Sequence, residues 1–175
     1  QKTAYEIVDC DWSSDVCSSD LKKTEQLIQR FLEKPEHFWI LKDRLLARRM
    51  ISFFTLFPLE DLYEILENRK LVLLYCNRIM SCSISPTGSR EIILVFPELR
   101  QLLLSVQNQR GFAILAHELA HILLEHTRNA ISPVMAQIEA DAYAKFLGFR
   151  DELIAVLEDE GESEEIRVRI KALSA

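Results

Sequence analysis

The chain has 175 residues, a formal net charge of -6, 49% hydrophobic residues and four cysteines. That length can bury one sizeable core, and the absence of a concentrated basic face argues against nucleic acid as a partner. No apolar run reaches the eighteen or so residues of a membrane-spanning helix, which by itself does not exclude membrane association.

The beginning of the chain follows no helical or strand period. Asp11-Trp12-Ser13-Ser14-Asp15-Val16-Cys17-Ser18-Ser19-Asp20-Leu21 resembles the in-frame translation of a sequencing-adapter DNA, and the residues from Gln1 to Ile7 resemble the rest of that oligonucleotide. Residues 1–21 are therefore read as a non-native segment and set aside from fold reasoning. Residues 22–175 are then expected to form a single domain, with the true N-terminus expected to be missing. Within the segment, Lys2 stands against Glu6, Asp9, Asp11, Asp15 and Asp20, so the remainder carries a net charge of only about -2. Cys10 and Cys17 leave with it. Cys76 and Cys82 are read as two partly buried thiols, not as a disulfide framework.

From residue 22 the helical period is clear. Leu27, Ile28, Phe31 and Leu32 share one face of a helix over 22–34. Pro35 suits the first turn of a second helix, which carries Phe38, Trp39, Leu41, Leu45, Leu46 and Met50. Arg44, Arg48 and Arg49 read as its solvated face. Phe53, Phe54 and Phe57 follow in an aromatic stretch, which is either core or a membrane- or partner-touching patch. Pro58 opens a short helix to about residue 68. Residues 71–76 and 79–84 read as strands joined by a turn at Asn77-Arg78, and 91–96 (Glu-Ile-Ile-Leu-Val-Phe) as a third. Ser85-Pro86-Thr87-Gly88-Ser89 is a turn signal. Helices are predicted over 97–106, 112–127, 133–147, 151–158 and 163–173, with Gly148 as a stop for the third of these.

The predicted helix over 112–127 holds Ala116-His117-Glu118-Leu119-Ala120-His121-Ile122-Leu123-Leu124-Glu125-His126. Histidines four apart sit one turn apart on one helical face, so His117 and His121 can reach a single metal ion. Glu118 stands beside them as a proton acceptor for a metal-activated water. Counted along a continuous helix, His126 is about 140° further round than His121 and belongs to another face. The metzincin pattern fails, because Leu124 and Thr127 occupy the places of its glycine and third histidine. The next helix reads Gln137-Ile138-Glu139-Ala140-Asp141-Ala142-Tyr143-Ala144, with Ala140, Ala142 and Ala144 small enough for close packing.

The two stretches together resemble the HtpX and CAAX prenyl-protease family of gluzincin peptidases, over roughly residues 91–147. The resemblance implies an α+β fold: a compact zincin (gluzincin-like) domain with a small antiparallel sheet, an active-site helix and a helical C-terminal part. It also implies one zinc ion, endopeptidase activity, and a polypeptide substrate paired along the edge strand from Glu91 to Phe96. The family's glutamate ligand stands four residues before its aspartate, and here that place holds Gln137. Chemistry favours Glu139 as third ligand, since an amide is a poorer donor than a carboxylate; helical register favours Gln137. Asp141 is expected to orient a ligand histidine. The family's oxyanion helper has no counterpart in its usual place, which leaves Tyr143 and Arg150 as candidates. Two other functions fit the same motifs. One is a regulatory zincin of the phage and mobile-element, repressor-cleaving kind, whose Glu-Ala-Asn-x-Phe-Ala run Glu139 to Ala144 approximates. The other is a non-catalytic binding module on a degenerate zincin scaffold.

Overall fold

The computed structural model describes residues 14–76 and 90–175, with side chains from residue 20 onward. The predicted strand over 79–84, the turn after it and Cys82 lie outside the described residues. Helix α1 (Ser14–Leu32) buries Leu27, Ile28, Phe31 and Leu32, the stripe its period predicts. Each such side chain contributes about 1.5–3 kcal/mol of burial. The helix begins well before residue 22, so part of the segment set aside as non-native is helical. Once the docked end has formed the nucleus, each further residue adds a hydrogen bond at little cost.

The single helix predicted after Pro35 is three pieces: a 3-10 turn (Pro35–His37), α2 (Phe38–Leu41) and α3 (Arg44–Phe54). Asp43 makes the break. Its carboxylate accepts from the backbone N–H of Leu45 and Leu46 at 3.1 and 3.2 Å, which caps α3. Arg49 is not part of a solvated face. Its Nη1 donates to the carbonyls of Leu103 and Ser105 at 2.5 and 2.6 Å, where a cation meets the end of a helix. The aromatic stretch is core. Phe53 and Phe54 are fully buried and Phe57 nearly so, and the Phe53 ring lies 5.1 Å from those of Phe57 and Phe112. The surface-patch alternative is thereby removed.

Helix α4 (Leu59–Tyr63) runs into a π-turn (Glu64–Asn68) and then strand β1 (Val72–Tyr75). β1 pairs with β2 (Ile92–Val95) in parallel, from Val72↔Ile92 to Tyr75↔Val95. This corrects the antiparallel expectation for the described strands. Both are unbroken apolar runs, as buried parallel strands are, and residues 76–91 are long enough for the return that parallel pairing needs. The outer edge of β1 is covered. Leu73 N–H donates to His37 Nε2 at 3.1 Å, and Trp39 Nε1 donates to Leu73 O at 3.1 Å.

Four long helices and one short one complete the chain: α5 (Pro97–Leu104), α6 (Asn108–Leu123), α7 (Pro133–Phe146), α8 (Arg150–Asp159) and α9 (Glu164–Ser174). Gly111 lets α5 approach α6, since a Cβ there would meet Leu103 N at 3.0 Å. Gly148, at φ 94°, ends α7 where the sequence places the stop. The α6–α7 contact uses small residues, but not the expected set. Ala136, Ala140 and Ala144 are buried on α7, one turn apart, and Ala113, Ala116 and Ala120 are buried on α6. Ala142 is exposed. The described fold is thus helices around one small sheet, α+β in the coarse sense.

Candidate metal centre

The predicted histidines sit on α6 where it packs against α7. His117 Nε2 and His121 Nε2 face each other at 3.0 Å. Two nitrogens each ~2.0–2.1 Å from one tetrahedral zinc ion would stand roughly 3.3 Å apart. The pair is therefore within a few tenths of an ångström of a two-nitrogen zinc site. His121 is also in the right charge state for ligation. Burial, then the neighbouring His117 and His126, push its pKa down to about 4, so the ring is neutral near pH 7.

The other nitrogen of His117 is turned into the core. Its Nδ1 lies 2.7 Å from Asp141 Oδ1, a close but bent contact without the alignment of a linear hydrogen bond. Asp141 is 1% exposed. Its carboxylate is gripped from α9 by Arg169, with Nε and Nη2 each 2.8 Å from one oxygen. Burial alone would raise the Asp141 pKa; the Arg169 guanidinium, and then His117, outweigh it and hold the carboxyl below its usual range. Arg169 had no signal in the sequence, because nothing in local spacing connects a residue of the last helix to the motif.

His126 falls where continuous-helix counting does not put it. α6 ends at Leu123, four residues short of the predicted end. Glu125 takes the left-handed conformation at φ 56°. His126 N–H then bonds to His121 O at 3.1 Å and Glu125 N–H to Ile122 O at 3.2 Å, the two bonds of a Schellman cap. Arg69 pairs with the Glu125 carboxylate. The turn folds His126 back onto the ligand face, with Nδ1 2.8 Å from His121 Nδ1. The helical-wheel argument for His126 is therefore overturned by the helix stopping early.

Glu139, expected as third ligand, is held elsewhere: its Oε2 lies 3.0 Å from His126 Nε2. Gln137 is half-buried on α7, one turn before Asp141 and on the same face. Tyr143 is turned away from an oxyanion role. It packs against Phe57, and its hydroxyl donates to Asp61 Oδ2 at 2.6 Å. Arg150 donates through Nε to Leu173 O at 3.0 Å, at the end of α9. Among the described residues, no group of three or more His, Cys, Asp or Glu side chains is arranged to hold a metal ion. The donor set fits zinc through two nitrogens, and among the described residues no third His, Cys, Asp or Glu side chain joins them.

Glu118 points out of the core. It lines a groove of about 550 Å³ with Ile92, Leu94 and Phe96 of the β2 region and Leu99 and Ile114. Glu91 O and Val95 O accept from the backbone N–H groups of Val72 in β1 and of Cys76 just after it. By alternation, the backbone groups of Ile92 and Leu94 face the opposite edge. The strand predicted to receive substrate and the predicted general base thus border the same groove. Searches against protein-family models, curated proteins and solved structures gave no match for this chain.

Proposed function

We propose that the chain is a zinc-dependent endopeptidase of gluzincin type that hydrolyses extended polypeptides. The supporting observation is the meeting of His117 Nε2 and His121 Nε2 at 3.0 Å, with Glu118 between them in sequence and open to the β2 groove. His117 and His121 would hold the ion, with Glu139 or Gln137 as the third ligand. Bound zinc supplies Lewis-acid polarisation of the scissile carbonyl and a lowered pKa for the attacking water. Glu118 takes the proton from that water and passes it to the leaving amine. An extended peptide pairs with the outward backbone of Ile92 and Leu94 by strand addition. Its apolar side chains enter the groove between Phe96, Leu99 and Ile114.

The test compares the wild-type chain with Glu118→Gln. Both should carry close to one zinc ion per chain. The variant should lose roughly 10²–10⁴-fold in the rate of casein cleavage. A wild type that carries zinc but cleaves no unfolded polypeptide would sink the peptidase proposal. A second reading, the non-catalytic scaffold, is favoured by one observation: Glu139 is paired with His126. Weak zinc binding by the wild type would decide for it.

A further inference from the structure

We propose that His126 and Glu139 are positioning residues for His121, the counterpart of what Asp141 is to His117. The proposal rests on the zinc-site reading above and deepens it. The relay runs from a carboxylate inward. Glu139 Oε2 is 3.0 Å from His126 Nε2, His126 Nδ1 is 2.8 Å from His121 Nδ1, and His121 Nε2 is 3.0 Å from His117 Nε2.

Proton bookkeeping gives the relay a direction. An ionised carboxylate only accepts, so Glu139 requires a proton on His126 Nε2. A neutral His126 then has a lone pair on Nδ1, which requires a proton on His121 Nδ1. His121 Nε2 is left with its lone pair. On the other side, Asp141 draws the His117 proton to Nδ1, and His117 Nε2 also keeps a lone pair. Two lone pairs then face each other at 3.0 Å, an arrangement that only a cation between them makes favourable. The reverse order needs two protons on His126 and places one on His121 Nε2, where the metal would bind.

Burial matches these roles. The His126 side chain is 5% exposed, whereas Glu139 is 47% exposed. The carboxylate thus stays partly hydrated while the ring it holds is packed against His121. A metal-binding histidine ordinarily donates its other N–H to an outer partner. Here one ligand histidine uses a carboxylate directly and the other uses a carboxylate through a second ring. Glu139 is then committed to the relay, and the third ligand place falls to Gln137, on the Asp141 face of α7.

The experiment measures zinc affinity by chelator competition on the full chain. The variants are His126→Leu, His126→Asn, Glu139→Gln and Gln137→Ala. Nitrogen-15 NMR of the histidine rings is recorded on the zinc-loaded wild type. His126→Leu should weaken zinc binding by roughly 10–100-fold. His126→Asn should restore most of it, because the amide oxygen can accept from His121 Nδ1–H. Glu139→Gln should cost less than His126→Leu, since its amide oxygen still accepts from His126 Nε2–H. The spectra should show protons on His121 Nδ1 and His126 Nε2. Wild-type binding with His126→Leu unaffected, or zinc binding abolished by Glu139→Gln but not by Gln137→Ala, would overturn the relay and leave the zinc site standing. A wild type that takes up no zinc would overturn both.

Discussion

Two histidine regions of this molecule are finished differently. His37 is fully buried. Its Nδ1 meets Phe31 O at 2.6 Å and its Nε2 accepts from Leu73 N–H at 3.1 Å. Both nitrogens end on backbone, so the ring joins the end of α1 to the edge of β1 and has nothing left to bind. His117 turns Nδ1 into the core towards Asp141 at 2.7 Å and His121 turns Nδ1 to His126 at 2.8 Å, and the remaining two nitrogens point at each other. The difference shows that burial alone does not distinguish the two kinds of histidine. What distinguishes them is whether a nitrogen is left over after the fold has taken what it needs.

Asp141→Ala should have the largest effect and should hit both structure and site. It removes the partner of Arg169, whose side chain is only 11% exposed, and an unpaired buried charge costs about 3–5 kcal/mol. Urea unfolding measures that loss, and chelator competition should show zinc affinity down by about 10–100-fold. An unchanged urea midpoint would break the comparison, because the site would then not be anchored in the core.

His37→Leu should affect structure alone. It leaves Phe31 O and Leu73 N–H buried without their partner, at about 1–3 kcal/mol each, while zinc affinity stays at the wild-type value. A fall in zinc affinity would erase the distinction between the two regions. The same ring gives a pH signature. Burial is the main cause of a His37 pKa below its ordinary 6.5. The unfolded chain therefore takes the proton first, and stability falls as pH drops below about 6.5. Urea midpoints recorded above and below that pH should diverge more in the wild type than in His37→Leu.

The smallest effect is expected at the turn that delivers His126. Glu125→Gly relieves about 1–2 kcal/mol of left-handed strain and gives up a half-exposed ion pair with Arg69 worth about 0–1 kcal/mol. Thermal unfolding should therefore shift by only a few degrees, with zinc affinity retained. Loss of zinc binding would mean that the Arg69 pair, and not the cap, sets the His126 position.

Much of the site was legible because it is local. His117, Glu118 and His121 lie within two turns of one helix, and a spacing of four fixes their shared face before any packing is known. The apolar runs of β1 and β2, the stripe of α1 and the stop at Gly148 were legible for the same reason. The expectation that Asp141 orients a ligand histidine came with the family resemblance; the fold sets its carboxylate 2.7 Å from His117 Nδ1. Strand direction was not legible, since VLLY and IILV fit either pairing.

By itself, then, the sequence determined which two imidazoles share a helical face and which carboxylate accompanies them. Only the tertiary structure decided what their other nitrogens meet. Arg169 arrives from α9 to hold Asp141, a left-handed residue ends α6 early enough to return His126, and Glu139 meets His126 across the α6–α7 contact. Those choices depend on helix ends and helix packing, where a single residue's conformation redirects a side chain by most of a turn, and no repeat along the chain encodes them.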